Sequence, residues 1–331
     1  MISENLFEKI RQLKVAVIGD VMLDTYWWGN ADRISPEAPV PVVAVERTEH
    51  RVGGAANVAL NALALANSVT VMSVVGDDSE GNLLLQELNN KGIGTRGIFK
   101  SKQRITTNKT RVISRNQQMI RLDRETQADL NPEDERAFIQ LIRDVLDAEH
   151  PDIVILEDYN KGVLTTSVIE KALQLCKERN LLSAVDPKKK NFFSYKGADL
   201  FKPNLKEVKE ALHIDQLHTN LAGLQEVHDR LHKELHHSMS LITLSEKGIF
   251  CQPKAGKPLI LPSHRRTIAD VSGAGDTVIA VASLVYAATK DPLLMTAIAN
   301  LAGGIVCEEV GTVPIQREKL IEESMRLKSL I

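Results

Sequence analysis

The sequence predicts an open, doubly wound α/β fold: a mostly parallel sheet flanked by helices, with a small β-lid. Three observations carry this. Short apolar runs recur along the 331 residues, helix-period stretches lie between them, and most runs stop at an acidic or polar residue. None of the runs alternates with polar residues, as expected for strands buried on both faces of a parallel sheet. The alternation of run and helix gives the winding.

Taken in order, the runs are 15–19, 69–75, 153–156, 181–185 and 241–244, with a short one at Leu200-Phe201. They stop at Asp20, Gly76-Asp77-Asp78, Glu157-Asp158, Asp186, Ser245 and Lys202-Pro-Asn204. In parallel sheets ligands sit beyond the carboxyl ends of the strands, so these residues outline the rim of a site. Helical periodicity covers 55–66, 81–91, 165–179 and 205–212. Two stretches break the rhythm. Residues 25–51 and 104–123 are rich in β-formers with interleaved polar residues, and Pro36, Pro39 and Pro41 suit an edge strand. They are expected to form the lid of one domain spanning 1–331.

Apolar residues at 43% and charged residues at 25% are ordinary for a globular chain. A formal charge of −2 argues against nucleic acid or an anionic membrane as main partner. Cys176, Cys251 and Cys307 are scattered in apolar stretches, which suggests buried thiols in a reducing compartment. The N-terminus carries early acids and no apolar segment, and the longest apolar stretch, 278–289, falls short of the roughly 20 residues a bilayer requires. A cytoplasmic protein is expected.

The strongest chemical signal is Asp270-Val-Ser-Gly-Ala-Gly-Asp276-Thr, followed by a run that is apolar nearly all round and so reads as a buried helix. Gly273, Ala274 and Gly275 then lie at its N-terminus, where backbone amides and the helix dipole favour an anion. Asp276 falls in the first turn. A carboxylate there can take a proton from an attacking hydroxyl while the amides hold a transferring phosphoryl group.

This motif resembles the C-terminal signature of the ribokinase-like (PfkB) carbohydrate kinases. Gly53-Gly54-Ala-Ala-Asn57 is similar to the family's N-terminal glycine pair. Asn204-Leu-Lys-Glu207 resembles its Asn-x-x-Glu element, which implies magnesium organised through water. Thr243-Leu-Ser245-Glu-Lys-Gly248 resembles the nucleotide-contacting segment; Asn300, Gly303 and Gly311 fall in the segments that resemble the helix and turn beside the adenine. The resemblance covers essentially the whole chain and implies an ATP-dependent sugar kinase. Asp270 is similar to a position that helps bind a monovalent cation in some relatives, which implies potassium.

A narrower resemblance exists. Gly19-Asp-Val-Met-Leu-Asp24, Arg33-Ile-Ser-Pro-Glu-Ala-Pro-Val-Pro41, Ser114-Arg-Asn-Gln-Gln118 and Asp158-Tyr-Asn-Lys-Gly162 look like the kinase part of the heptose-7-phosphate kinase/adenylyltransferase family. That implies transfer of the ATP γ-phosphoryl to the anomeric hydroxyl of D-glycero-β-D-manno-heptose 7-phosphate, in ADP-heptose synthesis for lipopolysaccharide. No His-x-Gly-His motif of the second, nucleotidyltransferase domain occurs, so the chain is expected to be the stand-alone kinase.

On this reading Asp20 and Asp24 accept sugar hydroxyls, and Gly53, Gly54 and Asn57 let the backbone approach the sugar. Arg115, Asn116, Gln117, Asp158 and Lys161 are further substrate candidates, with Arg51, Lys109, Arg111 and Arg121 as other cations for a sugar phosphate. Lys188, after a strand end, is expected to reach the ATP phosphates. The lid is the expected homodimer surface by resemblance, with Trp27 and Trp28 as anchors.

Other kinases of the same fold, such as a fructokinase, ribokinase or sugar-phosphate kinase, are rivals, as is a non-catalytic sugar- or nucleotide-sensing module. Two patterns are set aside. Gly92-Ile-Gly-Thr-Arg-Gly97 follows a helix, whereas a dinucleotide fingerprint follows a strand, so Gly92 reads as a helix C-cap. His228, His232 and His236 have helical spacing in a charged segment and read as an exposed helix face. No P-loop sequence is present.

Overall fold

The computed structural model describes residues 4–115, 117–264 and 266–327. After α1 (Glu4–Arg11) comes β1 (Lys14–Gly19), whose side chains alternate between two hydrophobic cores. Val15 and Val17 enter one, Ala16 and Ile18 the other. A strand covered on both faces has no polar side, which is why it reads as an unbroken apolar run.

The chain then makes an excursion through β2 (Val21–Ile34) and β3 (Pro41–Gly54). It returns through α2 (Ala55–Leu63), β4 (Ser68–Gly76), α3 (Ser79–Asn90) and β5 (Gly94–Ser101). A second excursion forms β6 (Asn108–Ser114) and β7 (Gln117–Arg124). Next come α4 (Pro132–Glu149), β8 (Ile153–Glu157), α5 (Thr166–Glu178), β9 (Leu182–Asp186), β10 (Leu200–Phe201), α6 (Leu205–Leu212) and α7 (Leu221–Leu235). The chain closes with β11 (Met239–Thr243), β12 (Ile249–Pro253), β13 (Leu259–Leu261), α8 (Ala274–Thr289), α9 (Pro292–Val306) and α10 (Arg317–Leu327).

The main sheet has the order β13-β12-β11-β10-β9-β8-β1-β4-β5. It is parallel from β5 to β11, and β12 and β13 add antiparallel at one edge. Winding reverses beside β1, between β8 and β4, which leaves a crevice at the carboxyl ends of the strands. Helices α1, α2, α8 and α9 cover one face; α4, α5 and α7 cover the other.

A separate four-stranded sheet, β3-β2-β6-β7, holds the two stretches that broke the α/β rhythm. It leaves Ile34, Val45, Ile120 and Leu122 exposed.

Helix ends follow ordinary chemistry. Side chains of Asp78, Asn131, Thr165, Asn204, Asn220 and Asp291 accept backbone amides at helix starts. At the other ends, His150, His213, His236 and Lys290 cap α4, α6, α7 and α8 in the left-handed conformation, with φ of 47°, 52°, 52° and 55°. Gly92 follows α3 with φ 77°, as a C-capping glycine does.

The histidine reading needs correction. Helix α7 forms, but His228 is buried, His232 is half-buried, and of the three only His236, just past the helix, is exposed. The cause is periodicity: Leu224, Val227, His228 and Leu231 lie on the face that α7 turns to the core. The His228 ring lies 2.8 Å from Ser240 Oγ, and His237, completely buried, lies 2.6 Å from the same oxygen. Burial, with His228 and His232 facing it, pulls the His237 pKa down to about 3.

The folded state therefore favours the neutral ring. That contribution is complete above the unfolded value near 6.5 and is lost as pH falls from there toward 3. Urea unfolding should show the parent chain losing about 2 kcal/mol more than a His237→Gln variant between pH 7 and pH 5. A difference that stays flat with pH would remove His237 from this role.

Candidate active site

Gly19 ends β1 so close to β8 that a Cβ there would sit 2.0 Å from the Glu157 carbonyl oxygen. The next residue, Asp20, is 1% exposed. Its Oδ2 accepts the amides of Tyr159 (2.8 Å) and Lys161 (3.1 Å), and its Oδ1 that of Val163 (3.0 Å). Asp20 thus shapes the 159–163 loop. Asp158, also buried, accepts the Asn160 amide and the Tyr195 hydroxyl, and burial with Asp20 nearby pushes its carboxyl up to about 6.

Asp276 lies in the first turn of α8, 6% exposed. Asn57 Nδ2 donates to its Oδ2 at 2.7 Å, and the Tyr159 hydroxyl donates to its Oδ1 at 2.8 Å. Burial holds Tyr159 protonated, so it remains a donor. Burial also pushes the Asp276 carboxyl up to about 6, against the opposing pull of these two hydrogen bonds. A carboxylate so tuned is ionised at neutral pH yet ready to accept a proton.

Beside it the helix start is open. Gly273 caps α8 with φ 78°, and a Cβ there would press on Thr312 and Asn57. A Cβ on Gly275 would meet nothing nearer than Lys202 Nζ at 3.8 Å and Asp186 Oδ2 at 3.9 Å. The first amides of α8 and the Lys202 ammonium therefore border one space, which suits an anion.

Two strand ends complete the floor. Glu157 and Asp186 are register partners at the ends of β8 and β9. Lys202 is 2% exposed and pairs with Asp186 at 2.7 Å. Lys188 pairs with Glu207 at 2.8 Å and Asp186 at 3.4 Å, and its ammonium lies 5.5 Å from the Tyr159 ring centroid. Burial opposes the Lys188 charge, but Asp186 and Glu207 outweigh it and hold the ammonium above its usual pKa. Asn204 and Glu207 form a reciprocal capping box at the start of α6. Glu157, fully buried, has neither carboxylate oxygen hydrogen-bonded.

The other predicted residues spread outward. Asp24 pairs with Arg111 on the second sheet, and a Cβ on Gly53 would strike Asp24 Oδ2 at 2.4 Å. Gly54, with φ 64°, packs against the Asp20 carbonyl and leads into α2. Lys161 is buried and pairs with Glu125 at 2.7 Å. Arg51 and Arg121 pair with Glu49 and Asp123, while Lys109 is half-buried on β6. Arg115 is exposed and paired with Asp32, Gln117 is exposed at the start of β7, and Asn116 lies outside the described residues.

At the end of β11 and beyond, Thr243 bridges to Asn204, Ser245 is exposed, and Gly248 (φ 100°) leaves no room for a Cβ against Leu261. Asn300 donates to the Pro262 carbonyl at 2.8 Å, and Gly303 lets α9 approach Val278. Asp270 accepts the Ser272 amide and hydroxyl and, at 3.0 Å, the Gly311 amide.

The sequence placed Glu157, Asp186 and Lys202 on the rim of the site without a chemical role, and gave Tyr159 none beyond its place in the 158–162 motif. All four sit in or just after strand ends that the apolar runs marked, so position was the available signal.

A model of the "pfkB family carbohydrate kinase" matches residues 12–319. The bifunctional protein HldE of Citrifermentans bemidjiense is 40% identical over 322 residues, 97% of this chain and 65% of that protein. That of Geobacter metallireducens is 38% identical over 318 residues, 96% of this chain and 64% of that protein. The chain thus spans a little under two thirds of the length of these curated relatives. Among solved structures, phosphofructokinase-2 from Escherichia coli in complex with potassium aligns with a TM-score of 0.78 at 17% identity, covering 96% of this chain and 100% of that one. That likeness shows a ribokinase-like α/β fold.

Proposed function

The chain belongs to the pfkB family of carbohydrate kinases, and from that premise we propose that it transfers the γ-phosphoryl of ATP to the anomeric hydroxyl of D-glycero-β-D-manno-heptose 7-phosphate. The observation that carries the mechanism is Asp276, clamped by Asn57 and Tyr159 beside the open start of α8. The heptose assignment is supported by the motifs at 19–24, 33–41, 114–118 and 158–162 and by the identity to HldE proteins.

In this reading the sugar lies beneath the second sheet, which acts as a lid, against the 53–57 turn and the 158–163 loop. Asp276 removes the proton of the anomeric hydroxyl. The amides at 273–275 and the Lys202 ammonium stabilise the negative charge of the transferring group. Asp20 acts through the loop it holds, and Lys188 stands at the phosphate side.

The family implies ATP and a divalent metal. The hard oxygen donors of Asn204 and Glu207 suit magnesium held through water, which would offset charge on the phosphates. Asp270 and the Gly311 turn would hold potassium. The exposed apolar residues of the lid, with Trp27 and Trp28, would pair two chains.

The test is ADP release with ATP–Mg²⁺ against the heptose phosphate, fructose, ribose and fructose 6-phosphate in parallel. Turnover confined to the heptose phosphate is expected. Turnover confined to another sugar would discard the heptose assignment.

A further inference from the structure

Both oxygens of Asp276 are engaged by protein donors, and the two donors differ in kind. Asn57 is 1% exposed, sits in the first turn of α2 and offers an amide. Tyr159 is half-buried and offers a hydroxyl, whose one hydrogen bond among the described residues is the 2.8 Å contact to Asp276 Oδ1. A hydroxyl donating to a carboxylate at that distance is the contact a general base makes with the group whose proton it takes. The phenol thus stands where an acceptor hydroxyl has to come. Its backbone is pinned. Asp20 accepts the amides of Tyr159, Lys161 and Val163, and Arg104 donates to the Lys161 carbonyl. The ring has no such anchor and lies beside the Lys188 ammonium, 5.5 Å from its centroid. Moving the hydroxyl off Asp276 therefore takes a turn of the side chain and leaves the loop in place.

We infer that Tyr159 is a specificity-determining residue that reserves Asp276 for the sugar and denies it to water. This role rests on Asp276 being the base. A sugar displaces the phenol hydroxyl because its other hydroxyls gain contacts with the 53–57 turn and the 158–163 loop, which offset the lost hydrogen bond. A single water molecule gains no such contacts. Where the phenol hydroxyl is removed, water can donate to Asp276 Oδ1 in its place. The water oxygen then bonds to the γ-phosphorus of ATP, and the bond from that phosphorus to the bridging oxygen breaks. The proton passes to Asp276, and ADP and phosphate leave.

The experiment is ADP release from ATP–Mg²⁺ without sugar, by the parent, by Tyr159→Phe and by the double variant Tyr159→Phe/Asp276→Asn. Tyr159→Phe should release ADP roughly tenfold faster than the parent, the scale set by one hydrogen bond to a charged group. Adding Asp276→Asn should bring the rate back to that of the parent or below. A merely structural Tyr159 predicts the opposite sign, since a disordered site hydrolyses ATP more slowly. Circular dichroism and thermal melting establish the fold of each variant. In the parent, an analogue of the turned-over sugar that lacks the acceptor hydroxyl should also raise ADP release, because it turns Tyr159 aside and admits water.

No rise in Tyr159→Phe, or a rise that survives Asp276→Asn, would overturn this role. Should Tyr159→Phe not fold, the analogue decides, and a parent that it does not stimulate overturns the role equally. The variant readout needs no sugar. Turnover confined to fructose, with sugar-free ADP release raised in Tyr159→Phe, would therefore sink the heptose assignment and leave the role of Tyr159 standing.

Discussion

Asp276→Asn should lower kcat by roughly 10²- to 10⁴-fold, the usual scale for loss of a general base. The substitution keeps the shape of the side chain and removes its ability to take a proton. The parent carboxyl, raised to about 6 by burial, is ionised at neutral pH, and an amide is not ionised at any working pH. Binding should change less than turnover. The α8 amides, Lys202 and the 158–163 loop stay in place, so the KM for ATP should move little. The check is steady-state kinetics on both substrates, with circular dichroism to establish an unchanged fold. A variant turning over within a few-fold of the parent would take the base role from Asp276.

The second large effect falls on stability. Lys202→Met should destabilise the chain by about 3 kcal/mol, at the low end of what removing one partner of a buried ion pair costs. Both partners lie almost entirely out of water, and Asp186 would keep only the longer contact to Lys188 at 3.4 Å. That remaining contact is the reason to expect the low end. Turnover should fall as well, since the ammonium borders the space before α8. Urea unfolding at pH 7 measures the first effect. A loss under about 1 kcal/mol, the ceiling typical of surface pairs, would mean that the pair is solvated in solution.

How far the sequence carried these arguments differs from part to part. The runs at 15–19, 69–75 and 153–156 became β1, β4 and β8 with ends displaced by a residue or so, because burial on both faces writes itself directly into composition. Helix α6 matched its predicted span, set by the Asn204 cap and the apolar stripe that follows. The Gly-Ala-Gly-Asp motif lay at the start of a buried helix, as its neighbours required.

Contacts between distant segments were not legible. Nothing local states that Tyr159 donates to Asp276, 117 residues away, or that Asp20 is engaged by the 159–163 loop. His228 misled for a related reason. A charged segment hides one buried face, and only the partner, Ser240 on β11, explains a histidine in the core.

The left-handed helix ends have an evolutionary consequence. In a parallel α/β layer the helices run against the strands, so His150, His213 and Lys290 close helices at the edge remote from the crevice. A non-glycine residue in that conformation is strained by about 1 kcal/mol or more. Glycine at each of the three positions relieves the strain without approaching Asp276. The molecule thus keeps its adjustable robustness and its chemistry at opposite edges of one sheet. A lineage can trade new specificity at the crevice against compensating changes at the far edge, and neither adjustment has to pass through the other.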